Sequence, residues 1–125
     1  MRRFVGVCVL SLALIGLVRS EEISNIDRAL AMAKQRNQRV FLYFGASWCP
    51  WCNWMQRNVL NQPDVRAALG ITATIDVSVD RVTPRRYGVS AIPDYMIVDP
   101  RVGIIARQKG AMTKSAFITW LKRYQ

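Results

Sequence analysis

Hydrophobic and polar positions recur in two rhythms along this chain, and the change from one to the other divides it into elements. "SNIDRALAMAKQRNQ" (24–38) sets Ile26, Ala29, Leu30 and Ala33 on one face at helical spacing. Ser24 is placed to cap the first turn, with Asp27 three residues on. "RVFLYFGA" (39–46) is an unbroken apolar run of strand length, the pattern of a strand covered on both faces. In "SWCPWCNWMQRNVL", Pro50 suits the first turn of a helix beginning near Cys49, and Trp51, Met55, Val59 and Leu60 keep helical spacing. A second helical piece starts at Pro63 and stops at Gly70.

"ITATIDVSVD" (71–80) switches to strict alternation. Ile71, Ala73, Ile75, Val77 and Val79 point one way and Thr72, Thr74, Asp76, Ser78 and Asp80 the other, which predicts a strand with one wet face. A connection through Pro84 and Tyr87 leads to a strand over 95–98, a turn around Asp99, Pro100 and Gly103, and a strand over 104–108. Thr113 caps a last helix that buries Phe117, Trp120, Leu121 and Tyr124. Strands joined through a helix should run parallel and the final hairpin antiparallel. The order predicts a small α/β sandwich on a mixed sheet.

The first twenty residues stand apart from these elements. "MRRFVGVCVLSLALIGLVRS" has two arginines, an apolar run over 4–18, and Val18 and Ser20 as small residues before a cut, the layout of a secretory signal. That run falls short of the roughly 20 residues a membrane span needs, so an uncleaved anchor is the weaker alternative. Val7 is too large to precede a lipidated cysteine at Cys8. The expected organisation is a signal over 1–20 and one domain over 21–125. After cleavage, 15 basic residues against 8 acidic ones leave a net charge of +7 and two cysteines. The basic residues are scattered without a run of five, so they read as a solvated surface and nucleic acid is not an expected partner.

Those two cysteines, Cys49 and Cys52, sit three apart among tryptophans in "SWCPWCNW". An exported protein lies where disulfides persist, which makes redox chemistry plausible. A loop this short gains little from closure, which argues against a structural staple. Zinc would find itself two ligands short in a chain without histidine, so metal carriage requires a dimer or a soft ion such as Cu(I). The lack of histidine also removes the base a cysteine hydrolase needs.

A strand "VFLYFGASWCPWC" entering a helix, followed by "YGVSAIPDYMIVDP" opening a hairpin, resembles the thioredoxin-like superfamily over nearly all of 24–124. The "VL-x-x-P-x-V" segment after the CxxC helix narrows the resemblance to exported bacterial thioredoxin-like proteins with a WCPWC motif. The resemblance implies a thioredoxin-like sandwich with a mixed four-stranded sheet flanked by helices. It implies a thiol–disulfide oxidoreductase with Cys49 and Cys52 as its catalytic pair. Trp48 would cover the site, and a cis Pro93 would leave the backbone of Ile92 open to a substrate strand. Physical chemistry orders the roles. Free cysteine titrates at about 8.5, and Cys49 at a helix N-terminus meets unpaired N–H groups that favour its thiolate. Cys52, one turn inward, would be more buried and would resolve the mixed disulfide.

Three departures stand out. Thioredoxins usually carry a buried aspartate where this chain has Tyr43, and a lysine where it has Asn53. Asp76 is a candidate substitute carboxylate, although a solvated strand charge is the plainer reading. The domain also opens on a helix, so the strand over 72–79 is expected to be an exposed edge, discouraged from pairing by Asp76 and Asp80.

Pro-Trp between the cysteines carries no charge, and the nearest downstream base is Arg57. With nothing beyond the helix terminus to stabilise a thiolate, the poise is expected on the reducing or isomerising side. The expected protein is a monomeric periplasmic enzyme without cofactor or metal. Its partners would be thiols and disulfides of exported proteins and a redox partner protein, soluble or in the membrane. The competing class is a non-catalytic binding module or chaperone that uses the Ile92–Pro93 groove.

Overall fold

The computed structural model describes residues 22–23 and 26–124. The proposed signal and the Ser24 cap lie outside these residues. Five strands form one sheet: β1 (Glu22–Ile23), β2 (Val40–Gly45), β3 (Ile71–Asp76), β4 (Asp94–Asp99) and β5 (Gly103–Lys109). Their order across the sheet is β1-β3-β2-β4-β5. β2 and β3 run parallel with Leu42 opposite Ala73, while β2–β4 and β4–β5 are antiparallel. The four principal strands and their directions are those the pattern predicts.

The strand β2 is buried throughout, and its alternation divides the core. Val40, Leu42 and Phe44 join Ile71, Ala73, Ile75, Met96 and Val98 under α1 (Ile26–Arg36), which supplies Ile26, Ala29 and Ala33. Phe41 and Tyr43 face the other layer. There Met55 comes from α2 (Pro50–Met55), Val65 from α3 (Pro63–Leu69), and Phe117, Trp120 and Leu121 from α5 (Lys114–Lys122). Thr113 caps α5 as expected, its Oγ1 accepting from the Ala116 N–H at 3.2 Å. Between α2 and α3, residues Gln56–Leu60 form a π-helical turn that keeps Val59 and Leu60 buried.

Three expectations about β3 and its surroundings are corrected. Its outer edge is partly paired, because Glu22 and Ile23 of β1 run parallel to Thr72 and Ala73. Two residues suffice to satisfy part of the open ladder that an unpaired edge would leave. The strand also ends at Asp76 rather than near Asp80. The Asp76 carboxylate accepts from the Ser78 N–H at 2.8 Å and from the Ser78 hydroxyl, which bends the chain into a turn. Finally, the polar face is not fully wet: Thr72 is buried beside Phe41 and Leu60 in a shallow pocket.

The connection after β3 contains a short helix, α4 (Val82–Arg86), that the sequence pattern did not predict. Asp80 starts it, its Oδ1 accepting from the N–H groups of Val82 (3.0 Å) and Thr83 (2.9 Å).

Candidate active site

The chain leaves β2 at Gly45, turns through 46–48 and enters α2 with Cys49 as its N-cap and Pro50 in the first turn. Proline fits there because the first helical N–H groups have no intrahelical acceptor to lose. The Cys49 Sγ takes the place of a capping oxygen and accepts from the Cys52 N–H at 3.2 Å. The two cysteines are joined as a disulfide, with Cα atoms 5.2 Å apart. A donor aimed at the Cys49 sulfur favours negative charge on it once the bond is reduced.

Asn53 has a part here that sequence reasoning missed. Its Nδ2 donates to the Ser47 carbonyl at 2.9 Å, tying the turn before Cys49 to the first turn of α2. A polar residue just after a CxxC pair is the signal that could have suggested it.

Across from the pair, the Ile92–Pro93 peptide bond is cis, as the resemblance implied. Ile92 packs with Val77 against Ala46, Cys49 and Cys52, and the same two side chains also pack against the core under α1. Among the described residues, no backbone hydrogen bond engages Ile92. The structure therefore brings Ile92 against Cys49 and Cys52, with Pro93 next to it in the chain.

Accessibility differs from expectation. Cys49 is more open than Cys52, but only at 5% against 1%, because the disulfide lies under Ile92 and Val77. Trp48 and Trp51 are the exposed groups, at 65% and 63%. Trp51 fills no core; it meets the half-buried Trp54 edge-on with centroids 6.3 Å apart.

Behind Cys52 opens a cavity of about 180 Å³, lined among others by Tyr43, Asn53, Gln56, Thr74 and Asp76. Burial pushes the Tyr43 phenol up to about 12 against the opposing hydrogen bond from Gln56, so at neutral pH it is an uncharged group and not a base. The Asp76 carboxyl is held below the usual carboxylate range by its hydrogen bonds from Ser78. It stays ionised at neutral pH and serves the turn after β3. The cavity thus combines one committed carboxylate with neutral groups. Among the described residues, no cluster of three histidine, cysteine or acidic side chains is placed to hold a metal.

A family model described as a thioredoxin-like domain matches residues 26–125. The chain belongs to the thioredoxin-like family. A thioredoxin-like domain with this CxxC pair is a thiol–disulfide oxidoreductase domain. Among curated relatives, "Thiol:disulfide interchange protein DsbD 2" of Pseudomonas aeruginosa is 37% identical over 83 residues, covering 62% of this chain and 14% of that protein. The DsbD of Klebsiella pneumoniae is 33% identical over 71 residues, covering 57% and 12%. The chain therefore spans only a small part of the length of these relatives. Among solved structures, a Thermus thermophilus thioredoxin has a TM-score of 0.74 at 26% identity, covering 84% of this chain and 86% of that one. The reduced C-terminal domain of Neisseria meningitidis DsbD has a TM-score of 0.69 at 25% identity, covering 80% and 94%. Among the described residues of this thioredoxin-like chain, no helix is long and apolar enough to cross a membrane.

Proposed function

We propose that this domain works as a monomer in the bacterial envelope and reduces or isomerises disulfides of exported proteins. The observation that carries the reading is the Cys49–Cys52 pair at the head of α2, set beside the cis Ile92–Pro93 bond. The layout of residues 1–20 as an export signal supports the location, and the thiol:disulfide interchange proteins among the relatives support the chemistry.

The exchange runs in two displacements. The Cys49 thiolate attacks one sulfur of the substrate disulfide; a Cys49–substrate bond forms, the substrate bond breaks, and the other substrate sulfur leaves as a thiolate. The Cys52 thiolate then attacks the Cys49 sulfur, forming Cys49–Cys52 and releasing the second substrate thiolate. Two electrons pass to the substrate, whose thiolates take up the two protons that the cysteines gave up. A dithiol partner protein, soluble or membrane-bound, would return the domain to its reduced form by the same steps in reverse. Exposed Trp48 and Trp51 offer apolar surface to a substrate segment, whose main chain would lie along Ile92.

The reducing direction rests on the surroundings of Cys49. Among the described residues, the hydrogen bond to its sulfur comes from a backbone N–H and from no charged side chain. Trapping tests the whole reading. Cys52→Ser in the native host should accumulate mixed disulfides with exported proteins, and Cys49→Ser should abolish insulin-disulfide reduction. Insulin reduction untouched by either change would remove the proposal. Equilibration with glutathione tests the direction, and a potential near the oxidising end, about −120 mV, would reverse it.

A further inference from the structure

The Arg107 guanidinium, on β5, is engaged at all three nitrogens. Its Nε donates to Asp94 Oδ1 and Oδ2 at 3.1 and 3.2 Å, and its Nη2 to Asp94 Oδ2 at 2.6 Å. Nη1 reaches the Tyr87 carbonyl at 3.1 Å and Nη2 the Gly88 carbonyl at 3.0 Å. Asp94 directly follows Pro93 and is fully buried. Tyr87 and Gly88 end the turn that leaves α4. One side chain thus grips the entry and the exit of the segment that carries Ile92–Pro93.

Two further contacts, from the last residue of β5 and the residue after it, reach the same segment. Lys109 Nζ donates to the Ser90 hydroxyl at 3.3 Å, and the Gly110 N–H to the Pro93 carbonyl at 2.8 Å. A buried carboxylate needs a paired cation, yet an apolar pair of similar volume commonly stabilises a fold as well or better. What the ion pair adds is geometry. A planar fork serves a carboxylate and two carbonyls at once, which a lysine ammonium on a flexible stem cannot do.

We propose that Arg107 is a positioning residue for substrate: by locking Asp94 to Tyr87 and Gly88, it holds the Ile92 main chain where a substrate segment pairs beside Cys49. This rests on the reading of Ile92–Pro93 as a substrate wall. Arg107 touches no reacting sulfur, so it sets the affinity for disulfides that carry a peptide main chain and leaves the thiol chemistry alone.

The test compares two substrates on the purified protein. One is a peptide disulfide; the other is 2-hydroxyethyl disulfide, which has no main chain to pair. Arg107→Lys should raise KM for the peptide about tenfold with kcat within about twofold, and leave the rate with the small disulfide within about twofold. Should Arg107→Lys not fold, the double variant Arg107→Gln with Asp94→Asn removes both charges together and is held to the same outcome. Equal losses on both substrates, or an unchanged KM for the peptide, would overturn the proposal while the substrate wall stands. A wild-type protein with the same rate constant for both substrates would overturn the wall itself, and the role of Arg107 with it.

Discussion

The phenol of Tyr43 occupies the space above Gly45, two residues along the same strand. A β-carbon on Gly45 would come within 2.7 Å of Tyr43 Cζ and closer still to its oxygen. Gly45 is not among the positive-φ glycines, so an alanine there suits the backbone and is opposed by the ring alone. Gly45→Ala should cost about 1–3 kcal/mol by overpacking. In a Tyr43→Ala background the same change should become neutral or slightly stabilising, since the clash is gone and the unfolded chain loses freedom. Urea unfolding of the four proteins in the cycle measures the coupling.

Tyr43 also gives stability a dependence on alkaline pH. The folded phenol holds its proton up to about 12, whereas the unfolded one releases it near the ordinary 10.0. Between those values the folded state binds more protons, so stability falls as pH rises. Tyr43 contributes fully below pH 10 and loses that contribution, on the order of 2–3 kcal/mol, as pH passes through 12. Tyr43→Phe should flatten this part of the profile in urea titrations at fixed pH. The buried Tyr95, also pushed up by burial, remains as a background in both proteins.

Asp80 sets an acid-sensitive contribution. Its carboxyl is held below the ordinary range by its hydrogen bonds from Thr83 and then Val82, and these are the bonds that start α4. Asp80→Ala should cost about 1 kcal/mol at neutral pH. The contribution is whole above the unfolded value of about 3.9 and is lost as pH falls through the lower folded value. The gap between wild type and variant should therefore close in acid, which thermal melts across pH 2–7 would show.

Trp48 and Trp51 separate recognition from folding. Both are largely exposed, so alanine at either position should change stability by less than about 0.5 kcal/mol. KM for a protein disulfide should rise severalfold while the rate with a small disulfide holds. A drop in melting temperature with unchanged KM would instead make these rings structural.

Much of this arrangement is legible in the sequence because its signals are local. Apolar spacing gives α1 and α5, the unbroken run gives β2, and Cys49-Pro50 marks the start of α2. The resemblance supplied the partnership of Ile92 and Pro93 with the cysteines. What stayed hidden depends on side chains reaching across the chain. Asp94 and Arg107 are brought together by the β4–β5 hairpin, whose register shifts between Ile97 and Val98; spacing in the sequence does not encode that shift. The end of β3 was missed because alternation continues through Val79, whereas the Ser78 hydrogen bonds to Asp76 stop the strand. Asn53 read only as a missing lysine, because its bond to the Ser47 carbonyl exists only after the turn closes.

The cluster of Ala46, Cys49 and Cys52 shares no buried residue with the two large cores, but Val77 and Ile92, which pack against it, also pack against the core under α1. The Cys49–Cys52 bond thus meets the layer under α1 through Val77 and Ile92. The domain is in effect a two-layered handle with a small working tip, and those two side chains are where the tip is seated on it.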